Sequence, residues 1–353
     1  MDPVIWRGMT RAELNVAYNN SAAVKNSTEK IAEWTSRSAQ TRARPGAALD
    51  IIYGPRPNNR IDIIPCGRVH APLFAFIHGG YWQRNSKEIF ACVTEGPLAK
   101  GFDAALIGYT LAPQGTLTEI VDEVLTAVQW LRAQGPRFGV AKAKILLSGW
   151  SAGGHLTAMA LGEADAGLAI SGIFDLEPCR LNYLNDKLNL TLEEQNALSP
   201  LRKLPSSSRP LLLASGTCEL PELQRQSDAY HASRKAANLP SERLSLIGHD
   251  HFSILEELAH PDGQLTAIMH AVWRRLSQSQ TRPLEKFPSP RRTAPRCPAR
   301  QKVTLAFARN RLYSLRTKSF ALAFSFSRAN EVVYVPRSND RTWKNSAGEG
   351  ELG

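Results

Sequence analysis

The sequence predicts an α/β protein built on a mostly parallel sheet with helices on both faces. Short apolar runs alternate with helix-compatible segments through most of the chain, and nearly every residue inside these runs is apolar. Strands that are covered on both faces of a parallel sheet have this composition. The predicted strands are Leu73–Ile77, Ala104–Tyr109, Ile145–Ser148, Gly167–Ser171, Leu211–Ser215 and Arg243–Ile247.

Helical periodicity is clearest between Thr116 and Arg132, where apolar residues recur at intervals of three and four. Thr116 and Glu119 have the spacing of a capping box at the start of this helix. Further helices are predicted after Gly153, from about Glu222 to Ala237 and from about Gln264 to Leu276.

The segment before the first predicted parallel strand has a different character. Residues 1–45 are polar and mostly helix-compatible. Two β-rich runs follow, Leu49–Tyr53 and Arg60–Ile64, and a turn-forming stretch rich in proline and asparagine separates them. We expect these two runs to pair as antiparallel strands at one edge of the sheet, and we include residues 1–65 in a single domain that ends near residue 279.

The positive charge is concentrated at the end of the chain. The net charge of the 353 residues is +11. Residues 280–353 contain 15 Lys and Arg against 5 Asp and Glu, so the preceding part, with 28 basic and 27 acidic residues, is nearly neutral. Prolines among arginines and serines also begin after residue 279. We predict that residues 280–353, the basic tail, are disordered.

The cysteines and the hydropathy of the chain indicate the cellular compartment in which the protein is expected. The five cysteines are scattered with no CxxC pair, which is typical of neither a disulfide framework nor a zinc site. The N-terminus has no signal-peptide pattern, and no apolar run approaches the roughly 18 residues of a membrane-spanning helix. The sequence therefore predicts a cytoplasmic protein with no membrane contact and no metal.

The strongest chemical motif is Gly149-Trp150-Ser151-Ala152-Gly153. It lies between an apolar strand and a helix-compatible run, and a serine on such a sharp strand-to-helix turn exposes its hydroxyl above the sheet. Small residues flank the serine because the neighbouring backbone approaches closely. The motif predicts that Ser151 is the nucleophile of an acyl-transfer reaction; an incidental serine in a glycine-rich turn is the structural alternative.

A second motif, His78-Gly79-Gly80-Tyr81-Trp82, directly follows the strand Leu73–Ile77. Acyl transfer needs backbone amides aimed at the oxyanion of its tetrahedral intermediate. We predict that Gly79, Gly80 and Tyr81 form this oxyanion hole together with Ala152, the residue after the nucleophile. We also expect the substrate pocket to be lined by His78, Tyr81, Trp82 and Trp150, and for Trp82 a simple core position is the open alternative.

The base that accepts the serine proton is predicted to be His251. This histidine follows the last apolar strand, in the loop Gly248–Phe252, and this is where the third member of a Ser-acid-His triad belongs in chain order. His249 is its competitor.

The acid of the triad should follow the strand Leu211–Ser215. Glu219 is the predicted acid, and it would fix the tautomer of the imidazole. Glu222 and Asp228 lie nearby, but both fall in the predicted helix that begins near residue 222, where an acidic residue in the first turn suits the helix dipole.

These motifs together resemble the kynurenine formamidase (arylformamidase) branch of the α/β-hydrolases. The resemblance covers roughly residues 10–275. It is carried by the motifs at Ser151 and His78 and by further matching segments, which are 18–20, 53–55, 172–178, 222–227 and 250–256. It implies an α/β-hydrolase fold and a Ser151, Glu219, His251 triad, although members of this branch often have Asp at the position of Glu219.

The resemblance also implies a reaction. The expected activity is hydrolysis of a small aryl formamide such as N-formylkynurenine, without metal or organic cofactor. A carboxylesterase acting on small acyl esters is the alternative enzyme, and a catalytically silent binding protein of the same fold is the alternative of another class. The expected partner is a small-molecule ester or formamide, with no nucleic acid as the main function, and the sequence leaves the oligomeric state open.

Overall fold

An eight-stranded sheet forms the centre of the protein in a computed structural model that describes residues 2–140, 144–205, 207–279, 325–326 and 332–333. Before the sheet, the chain makes a small antiparallel pair, β1 (Val4–Trp6) and β2 (Met9–Thr10). Three helices follow, α1 (Arg11–Ala17), α2 (Asn20–Ala23) and α3 (Ser27–Arg42). The prediction of a mostly helical N-terminal segment is thus confirmed for α1–α3, whereas β1 and β2 are too short for a pattern to reveal.

The strands of the sheet agree with the predicted runs to within one or two residues at each end. They are β3 (Ala48–Ile52), β4 (Arg60–Ile64), β5 (Leu73–Ile77), β6 (Asp103–Ile107), β7 (Ile145–Trp150), β8 (Ala166–Ile170), β9 (Leu211–Gly216) and β10 (Ser241–Leu246). Every residue of β5 to β9 is buried. Burial on both faces explains why these strands are continuously apolar.

The remaining helices connect the strands. They are α4 (Glu95–Ala99), α5 (Leu117–Gln134), α6 (Ala152–Met159), α7 (Glu177–Leu181), α8 (Asn185–Leu188), α9 (Leu192–Leu198), α10 (Pro221–Ala236), α11 (Glu256–Ala259) and α12 (Gln264–Ser279). The predicted capping box is present at α5, where the Thr116 hydroxyl accepts from the Glu119 amide and the Glu119 carboxylate accepts from the Thr116 amide. Five of these helices, α4, α7, α8, α9 and α11, were not predicted, because they are too short to show helical periodicity.

The strand order is β10-β9-β8-β7-β5-β6-β4-β3. The six strands from β10 to β6 are parallel, and β4 and β3 continue the sheet as antiparallel strands at its edge, as predicted. The carboxyl ends of parallel strands meet at one edge of a sheet. The segments after β5, β7, β8, β9 and β10 therefore come together, and they contain the predicted site residues.

By their contacts, the residues divide into two compact units, Met1–Thr293 and Ala294–Gly353. In the second unit, β11 (Ser325–Phe326) and β12 (Val332–Val333) form an antiparallel pair. Apart from these four residues, the basic tail and its predicted disorder lie outside the described residues. Within the described part, no helix combines the length and the apolar character that a membrane crossing requires.

Candidate active site

Ser151 occupies the sharp turn between β7 and α6. Its backbone has φ 58° and ψ −115°, in a region that residues with a side chain rarely adopt. The Ser151 amide donates to the carbonyl of Ile170 at 2.8 Å, and α6 begins at the next residue. Strain of this kind persists only where the surrounding structure holds it, and it is common at reactive residues.

Steric crowding explains why glycines flank Ser151. A Cβ atom on Gly153 would lie 2.0 Å from the Ile77 carbonyl oxygen, and one on Gly149 would lie 2.2 Å from the Gly153 carbonyl oxygen. Both distances are far below a van der Waals contact, so only glycine allows α6 to start so close to β5. The spacing of the motif therefore follows from the packing of the turn.

The loop after β5 has an equally unusual backbone. Gly80, Tyr81 and Trp82 have φ values of 121°, 52° and 58°. The Gly80 carbonyl accepts from the amides of Gln83 and Arg84 at 3.0 and 3.2 Å, which closes the loop into a tight turn.

Among the described residues, the amides of Gly80 and Tyr81 donate to no protein acceptor. The Ala152 amide is the first of α6, and amides in the first turn of a helix have no partner within the helix. These three groups are available to an oxyanion, and the Gly79 amide, which also donates to no acceptor among the described residues, is not distinguished from them by its hydrogen bonds. The Gly79 carbonyl accepts from Asn85 Nδ2 at 3.3 Å.

His251 and Glu219 are in direct contact. Nδ1 of His251 lies 3.0 Å from Oε2 of Glu219, and both side chains are buried. Because a carboxylate can only accept, Nδ1 is the donor and Nε2 is left for another partner. The His251 carbonyl accepts from Trp150 Nε1 at 2.8 Å, and the two rings lie 4.7 Å apart.

Glu219 is held by two further hydrogen bonds. Its Oε1 accepts from the Ser171 hydroxyl and from the Gly216 amide, each at 2.6 Å. The competing acids lie elsewhere: Glu222 binds Arg225 with both oxygens, and Asp228 is paired with Arg243.

His249 does not contact Glu219. Its Nε2 lies 3.5 Å from Oε1 of Glu257, on the other side of the loop. The structure thus brings together Ser151, His251 and Glu219, and it separates His249 from them.

A cavity of about 270 Å³ opens above Ser151. Ser151, His251 and Trp150 line it, together with Gly80 and Tyr81 of the loop after β5. The remaining lining residues come from the N-terminal helices and the neighbouring loops; they are Asn20, Ser21, Ser27, Thr28, Ile31, Arg84, Asn85 and Phe252. Small-molecule sites start at about 300 Å³, so the cavity suits a small substrate.

The N-terminal segment is fixed to the loop after β5 through Tyr81. The Tyr81 hydroxyl donates to the Tyr18 carbonyl at 2.7 Å and accepts from Asn20 Nδ2 at 2.8 Å. The Tyr18 hydroxyl in turn accepts from Gln226 Nε2 at 2.6 Å. This buried network joins the N-terminal segment to Tyr81, which lines the cavity together with Ser151.

Two residues predicted to line the pocket do not line this cavity. The His78 ring stacks on Tyr109 at 4.3 Å, and its Nδ1 donates to the Gly79 carbonyl at 2.9 Å. Burial lowers the pKa of His78 to about 4, so the ring is neutral near pH 7. Trp82 is fully buried in the core, edge-on to His155 at 5.1 Å, because the strained loop turns its side chain inward.

Several residues of the site were missed by the sequence analysis. Ser171, which holds Glu219, ends the predicted strand Gly167–Ser171, and its φ of 51° marks another strained turn. The N-terminal helices belong to the predicted domain, but neither they nor Arg84 were predicted to form part of the site. Only Ser171 had a signal, since it follows a parallel strand beside Ser151. In the described ranges, no group of three or more His, Cys, Asp or Glu side chains could hold a metal ion.

The chain is similar in sequence to several known proteins. The BD-FAE family model matches residues 63–171, which include both the loop after β5 and Ser151. Kynurenine formamidase of Danio rerio is 28% identical over 287 residues, covering 75% of this chain and 97% of the relative. Esterase LipC of Mycobacterium tuberculosis is 27% identical over 214 residues, covering 50% of this chain and 53% of the relative.

A solved structure extends the comparison beyond sequence. A protein of Silicibacter sp. TM1040, proposed to be a thioesterase, superposes with a TM-score of 0.66 at 26% identity, covering 72% of this chain and 98% of that chain. The sheet order, the strained serine after β7 and these relatives together identify the chain as an enzyme of the hydrolase class with the α/β-hydrolase fold.

Proposed function

We propose that this enzyme is a serine hydrolase with the triad Ser151, His251 and Glu219, and that it cleaves a small aryl formamide of the N-formylkynurenine type. The triad is supported above all by the buried contact of His251 Nδ1 with Glu219 Oε2 at 3.0 Å. Ser151 and His251 both line the cavity beside this contact. A serine, a histidine and an orienting carboxylate in this relation are the parts of nucleophilic acyl transfer.

In the first step, the Ser151 hydroxyl oxygen attacks the formyl carbonyl carbon while Nε2 of His251 accepts the hydroxyl proton. The oxyanion that results is stabilised by the amides of Gly80, Tyr81 and Ala152. Collapse of this intermediate breaks the carbon–nitrogen bond. His251 returns the proton to the leaving arylamine, and Ser151 retains the formyl group as an ester.

In the second step, water replaces the amine. His251 Nε2 accepts a proton from the water, whose oxygen attacks the formyl ester. The second oxyanion accepts hydrogen bonds from the same amides. Its collapse breaks the bond between the formyl carbon and the Ser151 oxygen, His251 returns the proton to Ser151, and formic acid is released and ionises to formate. Glu219 stays ionised throughout and stabilises the transient imidazolium. One water is consumed for each formamide cleaved.

The choice of a formamide is supported by the relatives and by the size of the cavity. The Danio rerio relative, a kynurenine formamidase, is similar to this chain over 97% of its own length. A formyl group is the smallest acyl group, so a cavity of about 270 Å³ leaves most of its space for the leaving arylamine. The shared acyl-transfer parts do not by themselves distinguish a formamide from an ester.

A carboxylesterase acting on small acyl esters is therefore the second candidate. It is supported by the esterase among the relatives, LipC of Mycobacterium tuberculosis. The same triad would form an acyl ester with the loss of an alcohol, and only the leaving group and the size of the acyl group would differ.

The first test of the triad is labelling of the purified full chain with a fluorophosphonate, which reacts with activated serines. We expect wild-type protein to be labelled and Ser151→Ala to be unlabelled. Ser148→Ala is the matched control, because Ser148 is a buried serine three residues earlier whose hydroxyl donates to the Leu168 carbonyl. Folded wild-type protein that resists labelling would contradict the proposed nucleophile and favour a silent binding protein.

The second test separates the two substrates. kcat/KM is measured for N-formylkynurenine and for p-nitrophenyl acetate with the same preparation. The proposal requires the formamide to be the better substrate. If labelled protein hydrolyses only the acetate, the triad stands and the carboxylesterase replaces the formamidase.

A further inference from the structure

Arg84 presents a positive charge to the cavity above Ser151. It lies in the turn that closes the loop after β5, where its amide donates to the Gly80 carbonyl at 3.2 Å. The backbone of Arg84 is thus fixed to the same turn that carries the amides of Gly80 and Tyr81. Its side chain is exposed and lines the cavity.

The charge of Arg84 is not compensated by the protein. Its guanidinium has one side-chain hydrogen bond, a long one of 3.4 Å from Nη2 to the Ser21 hydroxyl. Across the described part of the chain, no carboxylate lies within ion-pair distance of it. By contrast, Arg202 binds two carboxylates at the surface, those of Asp175 and Glu177.

The surroundings of Arg84 within the cavity are neutral donors. Ser21, Thr28 and Asn85 line the same cavity and carry hydroxyl or amide groups. None of the residues that line it is an aspartate or a glutamate. A guanidinium beside hydroxyl donors, with no competing acid, is the arrangement that recognises a carboxylate.

We propose that Arg84 binds a carboxylate of the substrate at a distance from the scissile bond, so that the enzyme selects aryl formamides or esters that carry a carboxylate over those that do not. The inference rests on the proposed function in one respect, that acyl transfer takes place at Ser151 in this cavity. It holds for formamides and esters alike, because the carboxylate belongs to the part of the substrate that does not react.

The test compares two substrates that differ only in charge, 3-(4-acetoxyphenyl)propanoate and its carboxamide. Release of the phenol is followed for wild-type full chain, Arg84→Met and Arg84→Lys. Arg44→Met is the matched control, because Arg44 is exposed and does not line the cavity. N-formylkynurenine and its carboxamide form a second pair with the same difference.

We expect wild-type protein to prefer the member of each pair that carries the carboxylate. Arg84→Met should reduce the preference roughly 10-fold to 100-fold, through a higher KM for the anion with kcat little changed, since hydrogen bonds to charged groups are lost. Arg84→Lys should keep part of the preference, and Arg44→Met all of it. Loss of a contact to the non-reacting part of the substrate raises KM alone, whereas a distorted loop would lower kcat for both members.

Two results would overturn the inference. One is an equal loss for the anion and the carboxamide in Arg84→Met, which would mean that Arg84 only supports the loop. The other is an unchanged preference. Both differ from failure of the proposed function, in which wild-type protein would hydrolyse neither the esters nor the formamides.

Discussion

Glu219 is the most constrained carboxylate of the site. It accepts three hydrogen bonds, one each from His251, Ser171 and the Gly216 amide. Charge-assisted hydrogen bonds of this kind favour one rotamer and one orientation of the carboxylate. The imidazole is thereby fixed with its Nδ1 proton toward Glu219, and its free nitrogen faces the cavity.

Glu219→Gln tests this arrangement with almost no change of shape. The amide nitrogen would donate where a carboxylate accepts, so Nδ1 of His251 would have to lose its proton and the tautomer would be wrong for a base at Nε2. We expect kcat to fall roughly 10³-fold to 10⁴-fold. Steady-state kinetics measures this, with Asp228→Asn as the control, because Asp228 is paired with Arg243 outside the site. A loss of less than tenfold would contradict Glu219 as the acid.

Ser171 is a positioning residue for the same carboxylate. Ser171→Ala removes the 2.6 Å hydrogen bond to Glu219 Oε1. We expect kcat to fall about tenfold, with KM little changed, because a hydrogen bond to a charged group is lost.

Ser148→Ala is the control for Ser171→Ala. It removes a buried hydroxyl whose partner is a backbone carbonyl, so it should lower stability without lowering kcat. Equal kinetic effects of the two variants would show that Ser171 acts only through stability.

At the scale of elements, the turn from β7 into α6 depends on close approach to β5. The Ile77 carbonyl lies where a side chain on Gly153 would begin, and the two strands β5 and β7 are hydrogen-bonded neighbours. The position of Ser151 relative to the loop after β5 is therefore set by backbone contacts. Side chains of the core can vary more freely than these glycines.

Gly153→Ala should displace α6 from β5. The added Cβ would lie 2.0 Å from the Ile77 carbonyl oxygen, and the atom it meets belongs to the backbone of a buried strand. We expect the free energy of unfolding to fall by about 1–3 kcal/mol, as overpacking does, and activity to be lost with it.

Urea denaturation and steady-state kinetics measure both effects of Gly153→Ala. Gly162→Ala is the matched control, since its Cβ would meet nothing closer than 4.0 Å. A variant at Gly153 with wild-type stability would contradict the steric explanation of the motif.

At the scale of the whole molecule, two neutral histidines are buried in the folded state. Burial lowers the pKa of His78 and of His155 to about 4, against an ordinary value near 6.5. The unfolded chain binds these two protons as the pH falls below 6.5, and the folded protein does not bind them until about pH 4. The free energy of unfolding therefore decreases as the pH falls through this window.

The expected decrease is large enough to measure. Each histidine would contribute roughly 3 kcal/mol over the window, because one unit of pKa corresponds to about 1.4 kcal/mol. Urea denaturation at pH 7.0, 5.5 and 4.5 measures it. His155→Gln should flatten the dependence on pH, whereas His70→Gln, at an exposed position, should not. An identical pH dependence in wild type and His155→Gln would contradict the assignment.

The sequence by itself determined the order of strands and helices and the residues that follow each strand. Continuous apolar runs mark buried parallel strands, and the motifs around Ser151 and His78 place their chemistry at strand ends. The chain order of a serine, an acid and a histidine, together with the family resemblance of their motifs, also predicted that Ser151, Glu219 and His251 form one triad. These are local patterns, and each depends on a few consecutive residues.

Only the tertiary structure decided how the site is surrounded. The contacts of Tyr81 with Tyr18 and Asn20 join segments about sixty residues apart, and no pattern within either segment encodes them. The inward turn of Trp82 follows from the strained loop, and the proximity of Arg84 to Ser21 follows from the position of the N-terminal helices. Strand periodicity reports burial along one element, whereas a binding site is made by elements that meet in space.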